Sequence, residues 1–165
     1  LAYLVFVCLR FGQIHQTQER MRGGKTPLSL KPTDFLGNWA LERRIDDVLS
    51  GSVSTFSGTA CLSVGENQWS YHEVGKLLLA DAQPMTAERR YIWRADDNGV
   101  DIHFDDGRFF HRLDCSNDAV AQHWCDPDQY DVEYNFSNWP KWQNTWSVRG
   151  PKKNYTMTSA YMTIL

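Results

Sequence analysis

The sequence lacks long hydrophobic runs and has no strong excess of charge of one sign. No stretch approaches the roughly 18 unbroken apolar residues that a membrane-spanning helix needs. The 165 residues include 17 Lys and Arg against 20 Asp and Glu, which gives a formal net charge of -3. A broad basic face for nucleic acid is therefore not expected. The composition predicts a protein with neither a membrane span nor a nucleic-acid partner.

Cysteine is also sparse, and its spacing fits no metal motif. The four cysteines include no Cys-x-x-Cys pair, and the five histidines complete no zinc-finger spacing. Phosphate-binding loops, nucleophile elbows and the His-Glu-x-x-His motif do not occur in the sequence either. We therefore expect no metal site. Scattered cysteines are more typical of free thiols in a reducing compartment than of two disulfides, so a cytoplasmic location is expected.

Aromatic residues, in contrast, are abundant: seven Trp, seven Tyr and eight Phe make up 13% of the chain. Hydrophobic residues reach 42% and charged residues 22%, a balance that excludes disorder and low complexity. A chain of this length suits one domain with a substantial core.

The first residues differ in character from the rest. An apolar run at 1–9 precedes a polar, basic stretch, whereas a secretory signal peptide carries its positive charges first. We interpret residues 1–33 as an N-terminal extension, either a short helix packed on the domain or an upstream segment that ends before Met21. Residues 34–165 form the predicted domain.

From Phe35 onward, apolar and polar residues alternate with a period of two, and turn residues recur at short intervals. This pattern predicts about nine or ten antiparallel strands joined by short connections. An up-and-down meander of that length usually closes to protect its edges. The predicted fold is an all-β, antiparallel, up-and-down β-barrel.

Two short turns predict the pairing of three central strands. Asn98-Gly99 as a two-residue turn sets Trp93 opposite Phe104. Asp106-Gly107 as a second such turn sets Phe104 opposite Phe109. The three rings are then expected in one row on the inner face. The second turn also predicts these pairs: Ile102 with His111 and Val100 with Leu113.

The loop at Ser116–Asp118 decides the direction of His123. As a two-residue turn it points His123 outward, and as a three-residue loop, which we favour, it sets His111 opposite His123. A four-residue loop at Asp126–Gln129 fits the arrangement in which His111 lies opposite His123. The pairs expected from it are Cys125 with Tyr130 and His123 with Val132.

Polar and charged side chains interrupt the inner aromatic face that the alternation predicts. Each would cost roughly 1–3 kcal/mol in a solid core unless it had a partner, so their number favours a cavity. The alternative is a packed core in which such groups pair, Glu73 with Arg89 for instance. The predicted ligand-binding residues are His111, His123, Tyr130, Tyr134, Arg89, Glu73, Trp93, Tyr155 and Tyr161.

An aromatic lumen with a few polar groups is typical of a site for one small, largely apolar or planar ligand. Two facing imidazoles would also suit haem, as a variant of this hypothesis. One alternative is an isomerase, cyclase or hydrolase in which His111 or His123 acts as general acid or base. Another is an interaction module with a filled core and exposed aromatic residues such as Trp139.

Several short motifs recur along the predicted domain. Gly37-Asn38-Trp39 looks like the opening signature of the lipocalin and calycin group. The more specific motifs are Phe35-Leu-Gly-Asn-Trp39, Tyr91-Ile-Trp-Arg94, Phe110-His-Arg112, Trp139-Pro-x-Trp142 and Ser159-x-Tyr161. Together they resemble an uncharacterised family, a domain of unknown function with a predicted lipocalin-like barrel. The resemblance implies the barrel and no assigned activity. It directs attention to His111, His123, Cys125, Asp128, Tyr130, Lys153 and Tyr155.

Overall fold

A computed structural model describes residues 30–66, 68–80, 82–115 and 119–164. Within these ranges a four-residue 3-10 helix, Pro32–Phe35, precedes ten β-strands. The strands are β1 (Gly37–Asp47), β2 (Ser52–Val64), β3 (Trp69–Leu78), β4 (Met85–Ala95), β5 (Gly99–Phe104), β6 (Phe109–Asp114), β7 (Val120–Cys125), β8 (Asp128–Asn138), β9 (Lys141–Gly150) and β10 (Lys153–Thr163). The prediction of an all-β domain with nine or ten strands is confirmed.

The strands form one antiparallel sheet in which neighbours in sequence pair, except β6 and β7, and β10 also pairs with β1. The order is β6-β5-β4-β3-β2-β1-β10-β9-β8-β7, so β6 and β7 lie at the two ends of the sheet. The ring of Phe110 on β6 is 5.0 Å from the ring of His123 on β7, which shows that these ends meet. The sheet is a nearly closed up-and-down barrel, as predicted, and closure protects the strand edges.

Period-two alternation gives most strands one buried face, although β5 is buried at nearly every position. In β9, Trp142, Trp146 and Val148 are buried, whereas Gln143 and Arg149 on the other face are exposed. The inward faces of β2, β3 and β8 follow the same rule. The buried residues of all strands form one aromatic core inside the barrel.

The hairpin between β4 and β5 differs from the predicted register by two residues. Trp93 pairs with Ile102 and not with Phe104. The Oδ1 atom of Asp96 accepts hydrogen bonds of 2.9 Å from both backbone amides of Asn98-Gly99, and four residues, 96–99, connect the last pair, Ala95 with Val100. A shift by an even number of residues keeps every side chain on its predicted face.

The hairpin between β5 and β6 follows the predicted register only away from its turn. Ile102 pairs with His111 as predicted, but a β-bulge interrupts the ladder and Phe109 pairs with His103. The turn contains Gly107 at a φ of +86°, a conformation that glycine adopts without strain. The turn therefore holds three residues, 105–107, and the extra residue of the bulge lies in β6.

The bulge exchanges the faces of two adjacent phenylalanines. Phe109 is 50% exposed, whereas Phe110 is 3% exposed. The prediction that Phe109 lies in the inner row with Trp93 and Phe104 is therefore wrong. Phe110 occupies that place, with its ring 4.6 Å from the ring of Phe104.

The hairpin between β7 and β8 is tighter than predicted. Cys125 pairs with Asp128, and His123 pairs with Tyr130, so both predicted pairings in this hairpin are wrong. Asp128 resembles a turn residue in the sequence, but it belongs to β8 and its buried carboxylate binds the Nζ atom of Lys153 at 2.6 Å. The shift is again even, and His123 lies on the inner face beside the fully buried Tyr130.

Aromatic residues fill one end of the barrel. Phe35, from the 3-10 helix, is 1% exposed, and its ring lies 5.1 Å from Trp139 and 5.7 Å from Trp142. Trp139 also lies 5.6 Å from Trp39. Trp139 is thus partly buried against the core, which differs from the expectation that it is exposed.

Two sequence predictions concern segments outside the described residues. One is the loop at Ser116–Asp118, and the other is most of the N-terminal extension at 1–33, which overlaps the description only from residue 30. The boundary between residues 33 and 34 stays a prediction. In the described part of the chain, no helix is long and apolar enough to cross a membrane.

Candidate functional site

A cavity lies inside the barrel, lined by inward residues from most of the strands. Its volume is about 50 Å³, which is room for a few water molecules. Aromatic rings supply most of its wall. Its main polar and charged lining residues are Arg43, Glu73, Arg89, His111, Tyr134 and Asn144.

The strongest polar contact in the lumen is a buried ion pair between Arg43 on β1 and Glu73 on β3. Two guanidinium nitrogens of Arg43 donate to the two carboxylate oxygens of Glu73 at 2.7 and 2.8 Å. The third nitrogen, Nε, donates to the Oγ atom of Ser159 at 2.8 Å. The side chains of Arg43 and Glu73 are 6% and 3% exposed. All three guanidinium nitrogens of Arg43 are therefore hydrogen-bonded.

Small residues on β2 let this pair form across an intervening strand. Gly58 and Ala60 face inward on β2, between β1 and β3. The backbones of Gly58 and Gly75 approach so closely that a Cβ atom on either would overlap the neighbouring strand. The lack of large side chains at this level leaves space for the guanidinium of Arg43 to reach Glu73.

Glu73 has two further partners. The hydroxyl of Tyr71 donates to Oε2 of Glu73 at 2.9 Å, and Nε of Arg89 lies 3.4 Å from Oε1. Burial alone would raise the pKa of Glu73, but the charges of Arg43 and Arg89 outweigh it and lower the pKa to about 2. Burial likewise disfavours the charged form of Arg43, yet Glu73 raises its pKa above the ordinary value. Both groups are ionised at neutral pH.

Arg43 is not among the residues predicted from the sequence. The sequence suggests Glu73 with Arg89 as the pair of a packed core, and these residues are directly opposed on β3 and β4. The shortest contacts of Glu73, however, are with Arg43. Alternation does place residue 43 on the inner face, between Leu41 and Ile45, and this position is the signal that could have identified it.

His111 and Tyr134 form a second polar contact in the cavity wall. The Nε2 atom of His111 lies 2.7 Å from the hydroxyl oxygen of Tyr134, across the seam from β6 to β8. Burial, with a smaller effect from His123, lowers the pKa of His111 to about 3. Burial also raises the pKa of Tyr134 well above its usual range. Both groups are neutral at physiological pH.

Four buried side-chain atoms among the described residues have no hydrogen-bond partner. They are Nε1 of Trp93, Nδ1 of His111, Nε1 of Trp142 and Oδ1 of Asn144. All four residues line the one cavity described above. Buried polar atoms without partners are rare and costly in proteins, so their convergence on one cavity marks it as the candidate site.

Six of the nine predicted ligand-binding residues line this cavity, and three do not. The six are Glu73, Arg89, Trp93, His111, Tyr134 and Tyr161. The other three, His123, Tyr130 and Tyr155, have inward-facing positions elsewhere on β7, β8 and β10. The structure thus separates the predicted set into a cavity group and a second group.

The second group includes a polar cluster on β8 and β10. The Nζ atom of Lys153 donates to Tyr130 Oη at 2.8 Å and binds Asp128 Oδ2 at 2.6 Å. Burial opposes the charge of Lys153, but the hydrogen bonds to Asp128 and Tyr130 raise its pKa. Burial raises the pKa of Tyr155 above its ordinary value. This cluster links three of the residues to which the family resemblance directed attention.

The two histidines are separated by an aromatic ring. The ring of Phe110 lies 4.5 Å from the ring of His111 and 5.0 Å from the ring of His123. Burial lowers the pKa of His123, partly offset by a hydrogen bond to the backbone of Phe110. In the described residues, no group of three or more His, Cys, Asp or Glu side chains could hold a metal ion.

Comparisons with known proteins agree with the fold. Residues 35–163 match the model of DUF6314, a family of unknown function, and the chain belongs to that family. The structure is also similar to that of an S-type phycobiliprotein lyase from Guillardia theta, with a TM-score of 0.53, 7% sequence identity, and coverage of 78% of this chain and 86% of that chain. At so low an identity the likeness shows the fold alone. No curated protein has a similar sequence.

Proposed function

We propose that this member of the DUF6314 family binds a small, planar or largely apolar molecule in the barrel lumen. The observation that carries the proposal is the convergence of four partnerless buried polar atoms on one cavity. A ligand with matching polar atoms would satisfy them and recover the free energy that their isolation costs, about 1–3 kcal/mol each.

The four atoms also indicate which polar groups such a ligand would carry. The indole nitrogens of Trp93 and Trp142 are donors only, and Oδ1 of Asn144 is an acceptor. When the hydroxyl of Tyr134 donates to Nε2 of His111, the Nδ1 atom of His111 carries the proton and is a further donor. A suitable ligand therefore carries an acceptor oxygen, whose two lone pairs can accept from two of these donors, and one donor group.

The aromatic walls favour a flat ligand. Trp142 stacks on Tyr161 with ring centres 3.7 Å apart, and Trp146 stacks on Phe110 at 5.1 Å. Flat rings gain both buried area and favourable ring contacts against such surfaces. The cavity, at about 50 Å³, is smaller than the roughly 150 Å³ cavity that holds benzene, so a one-ring molecule enters only where the lining side chains move apart. A haem group is much larger than this cavity, so the proposal does not extend to haem.

Binding of small amides to the purified protein tests the proposal. Benzamide carries one ring, a carbonyl acceptor and an amide donor, and 2-naphthamide is its two-ring analogue. Trp93, Trp142 and Trp146 line the cavity, so a bound compound is expected to change the intrinsic tryptophan fluorescence. Native mass spectrometry of the freshly purified protein would identify any molecule that copurifies.

A pair of variants at adjacent positions locates the binding. Asn144→Phe introduces a ring into the cavity, and Gln143→Phe introduces the same ring on the exposed face of β9. We expect Asn144→Phe to lose binding by about tenfold or more and Gln143→Phe to retain it, both checked for folding by thermal unfolding. Equal binding by the two variants, or no binding by any compound of the series, would contradict the proposal.

An acid–base enzyme is the second candidate function, and the contact between His111 and Tyr134 favours it. The pair lines the cavity at hydrogen-bond distance, 2.7 Å, which meets the geometric requirement for proton transfer. The pKa of about 3 makes His111 a weak base at neutral pH, since efficient catalysis needs a pKa near the working pH. For this reason ligand binding is the better supported proposal. Unchanged turnover of a discovered substrate by His111→Gln would exclude the role.

A further inference from the structure

The barrel wall has one seam, the line along which β6 and β7 meet. In the sheet that the structure describes, these are the two adjacent strands that no ladder of backbone hydrogen bonds joins. Ladders cross the rest of the wall, so an opening elsewhere would break several backbone hydrogen bonds at once. The wall can open at the seam with its ladders intact.

Side chains close the seam from inside the lumen. The Nε2 atom of His111 on β6 lies 2.7 Å from the hydroxyl oxygen of Tyr134 on β8. The ring of Phe110, also on β6, stacks on the ring of Trp146 on β9 at 5.1 Å. Both contacts reach across β7, where the inward residue Ala121 is small. They hold β6 against the other end of the sheet, and all four side chains that make them line the cavity.

The hairpin that β6 forms with β5 is the least extensively paired part of the sheet. β6 pairs with β5 at five positions, and a β-bulge interrupts that ladder. β5 in turn pairs with β4 at five positions, whereas β1 and β2 pair at eleven. Segments with few hydrogen bonds open locally at a lower free energy than well-paired segments. We therefore expect the hairpin of β5 and β6 to be the part of the wall that moves most easily.

The cavity has to widen before a ring can enter it. It holds about 50 Å³, whereas benzene occupies a cavity of roughly 150 Å³. Movement of the hairpin away from β7 would separate Phe110 from Trp146 and widen the lumen between their rings. The same movement requires the hydrogen bond between His111 and Tyr134 to break.

We propose that the seam is the entrance of the cavity, and that the hydrogen bond between His111 and Tyr134 is the latch that keeps it closed. This inference rests on the proposed function and adds the route of ligand entry and its control. The ligand enters when the hairpin of β5 and β6 moves away from β7, and it is enclosed when the latch forms again.

Two substitutions of the same kind test the latch. Tyr134→Phe removes the latch and keeps the ring. Tyr71→Phe removes a similar hydrogen bond, of 2.9 Å to Glu73, from a strand that ladders join to both of its neighbours. Tyr134 and Tyr71 are 5% and 6% exposed, so the two lost hydrogen bonds are matched in burial.

The rate of ligand entry is the first measurement. We expect Tyr134→Phe to raise the association rate constant of benzamide by about threefold to tenfold, the factor that corresponds to the net contribution of one hydrogen bond. Tyr71→Phe is expected to leave this rate constant within about twofold, whatever its effect on the dissociation constant. Stopped-flow tryptophan fluorescence measures both.

Hydrogen exchange tests the seam without a ligand. The indole nitrogens of Trp93 and Trp142 lie in the cavity wall without a hydrogen-bond partner. Their exchange with solvent, followed by NMR, reports how often the cavity opens. We expect it to be about threefold to tenfold faster in Tyr134→Phe and unchanged in Tyr71→Phe.

A comparison of two strands in the unmodified protein decides the matter should Tyr134→Phe not fold. β5 and β2 each have a ladder partner on both sides. We expect the backbone amides of β5 to exchange about tenfold or more faster than those of β2, because the hairpin of β5 and β6 opens locally. Equal exchange in the two strands would overturn the inference.

The outcomes separate this inference from the proposed function. Faster entry and faster indole exchange in Tyr134→Phe alone would support the latch. Equal rates in the two Tyr→Phe variants, or acceleration only by Phe35→Leu at the aromatic end of the barrel, would overturn the latch and leave the lumen as a binding site. Binding of no amide would remove the proposed function, and the indole exchange would still support or overturn the opening of the seam.

Discussion

Arg43 and Glu73 lie on strands that are not neighbours, yet they make two hydrogen bonds of 2.7 and 2.8 Å across β2. Both side chains are almost completely buried. The net contribution of such a pair is small when both partners are replaced by apolar groups, because burial of the charges is itself costly. Removal of one partner is different, since it leaves the other as a poorly compensated buried charge.

The first prediction follows from this asymmetry. Arg43→Met is expected to lower the free energy of unfolding by about 3 kcal/mol, because Glu73 would keep only the hydrogen bond from Tyr71 and the longer contact with Arg89. The double variant Arg43→Met/Glu73→Leu is expected to recover part of this loss. Urea unfolding at neutral pH measures both values.

Arg44→Met is the matched control for this experiment. Arg44 is the next residue of β1, and its ion pair with Asp46 is exposed. Exposed pairs contribute little, so the change should stay within about 0.5 kcal/mol. A similar loss in Arg43→Met and Arg44→Met would show that the buried pair has no special role in stability.

The second prediction concerns the pH dependence of stability. The folded pKa of His111, about 3, is lower than the ordinary value of 6.5, so the unfolded chain takes up a proton first as the pH falls. The stability that neutral His111 contributes is therefore fully present above about pH 6.5. It is lost as the pH falls toward about 3, by about 1.4 kcal/mol per pH unit. His111→Gln keeps a hydrogen-bonding group for Tyr134 and removes this titration.

Unfolding by urea between about pH 7.5 and 4.5 measures the effect. In the upper part of this range, the titration of Glu73 does not contribute to the change in stability. The pKa of Glu73 is lowered to about 2, so the stability that its charge contributes is lost only below about pH 4.5. His72→Gln, at an exposed site, is the control. A slope that is the same in the unmodified protein and in His111→Gln would contradict the prediction.

The third prediction tests the bulge between β5 and β6. Phe110→Ala is expected to cost about 3–5 kcal/mol, because a ring buried against Phe104 and Trp146 is lost. Phe109→Ala, at the half-exposed neighbour, should cost about 1 kcal/mol or less. The difference in urea midpoints between the two variants is the measurement. A larger loss for Phe109→Ala than for Phe110→Ala would contradict the bulge and favour the register that a two-residue turn at Asp106-Gly107 predicts.

The barrel itself could be predicted because alternation is a property of each strand. Most strands show their buried face without knowledge of their partners, and ten strands with short connections leave few ways to protect their edges. The pairing of the strands could not be predicted in this way, because it depends on the length of each loop. Short polar side chains in the loops decide that length. Asp96 binds two loop amides and Asp128 binds Lys153, and neither contact is visible in a turn motif.

Part of the candidate site could also be predicted from the alternation of apolar and polar residues. Inward polar residues such as Glu73 and His111 follow from alternation, and both line the cavity. Arg43 was missed because its partner is two strands away and only the small residues of β2 allow the contact. Tyr130 and Tyr155 lie on the inner face but do not line the cavity. Alternation shows which face of a strand a residue lies on, but not its height along the barrel.

The fourth prediction concerns the close approach of Gly150 and Asp128. A Cβ atom at position 150 would overlap the carboxylate of Asp128, which cannot move freely because Lys153 holds it at 2.6 Å. Gly150→Ala is therefore expected to lower the free energy of unfolding by about 1–3 kcal/mol, the usual cost of overpacking. Asp128→Ala removes the overlapping group, so the double variant should lose less than the sum of the two single losses, since residues in contact are not additive. Thermal and urea unfolding of all four proteins measure this coupling. Additive losses would mean that Gly150 is needed for the turn and not for the space beside Asp128.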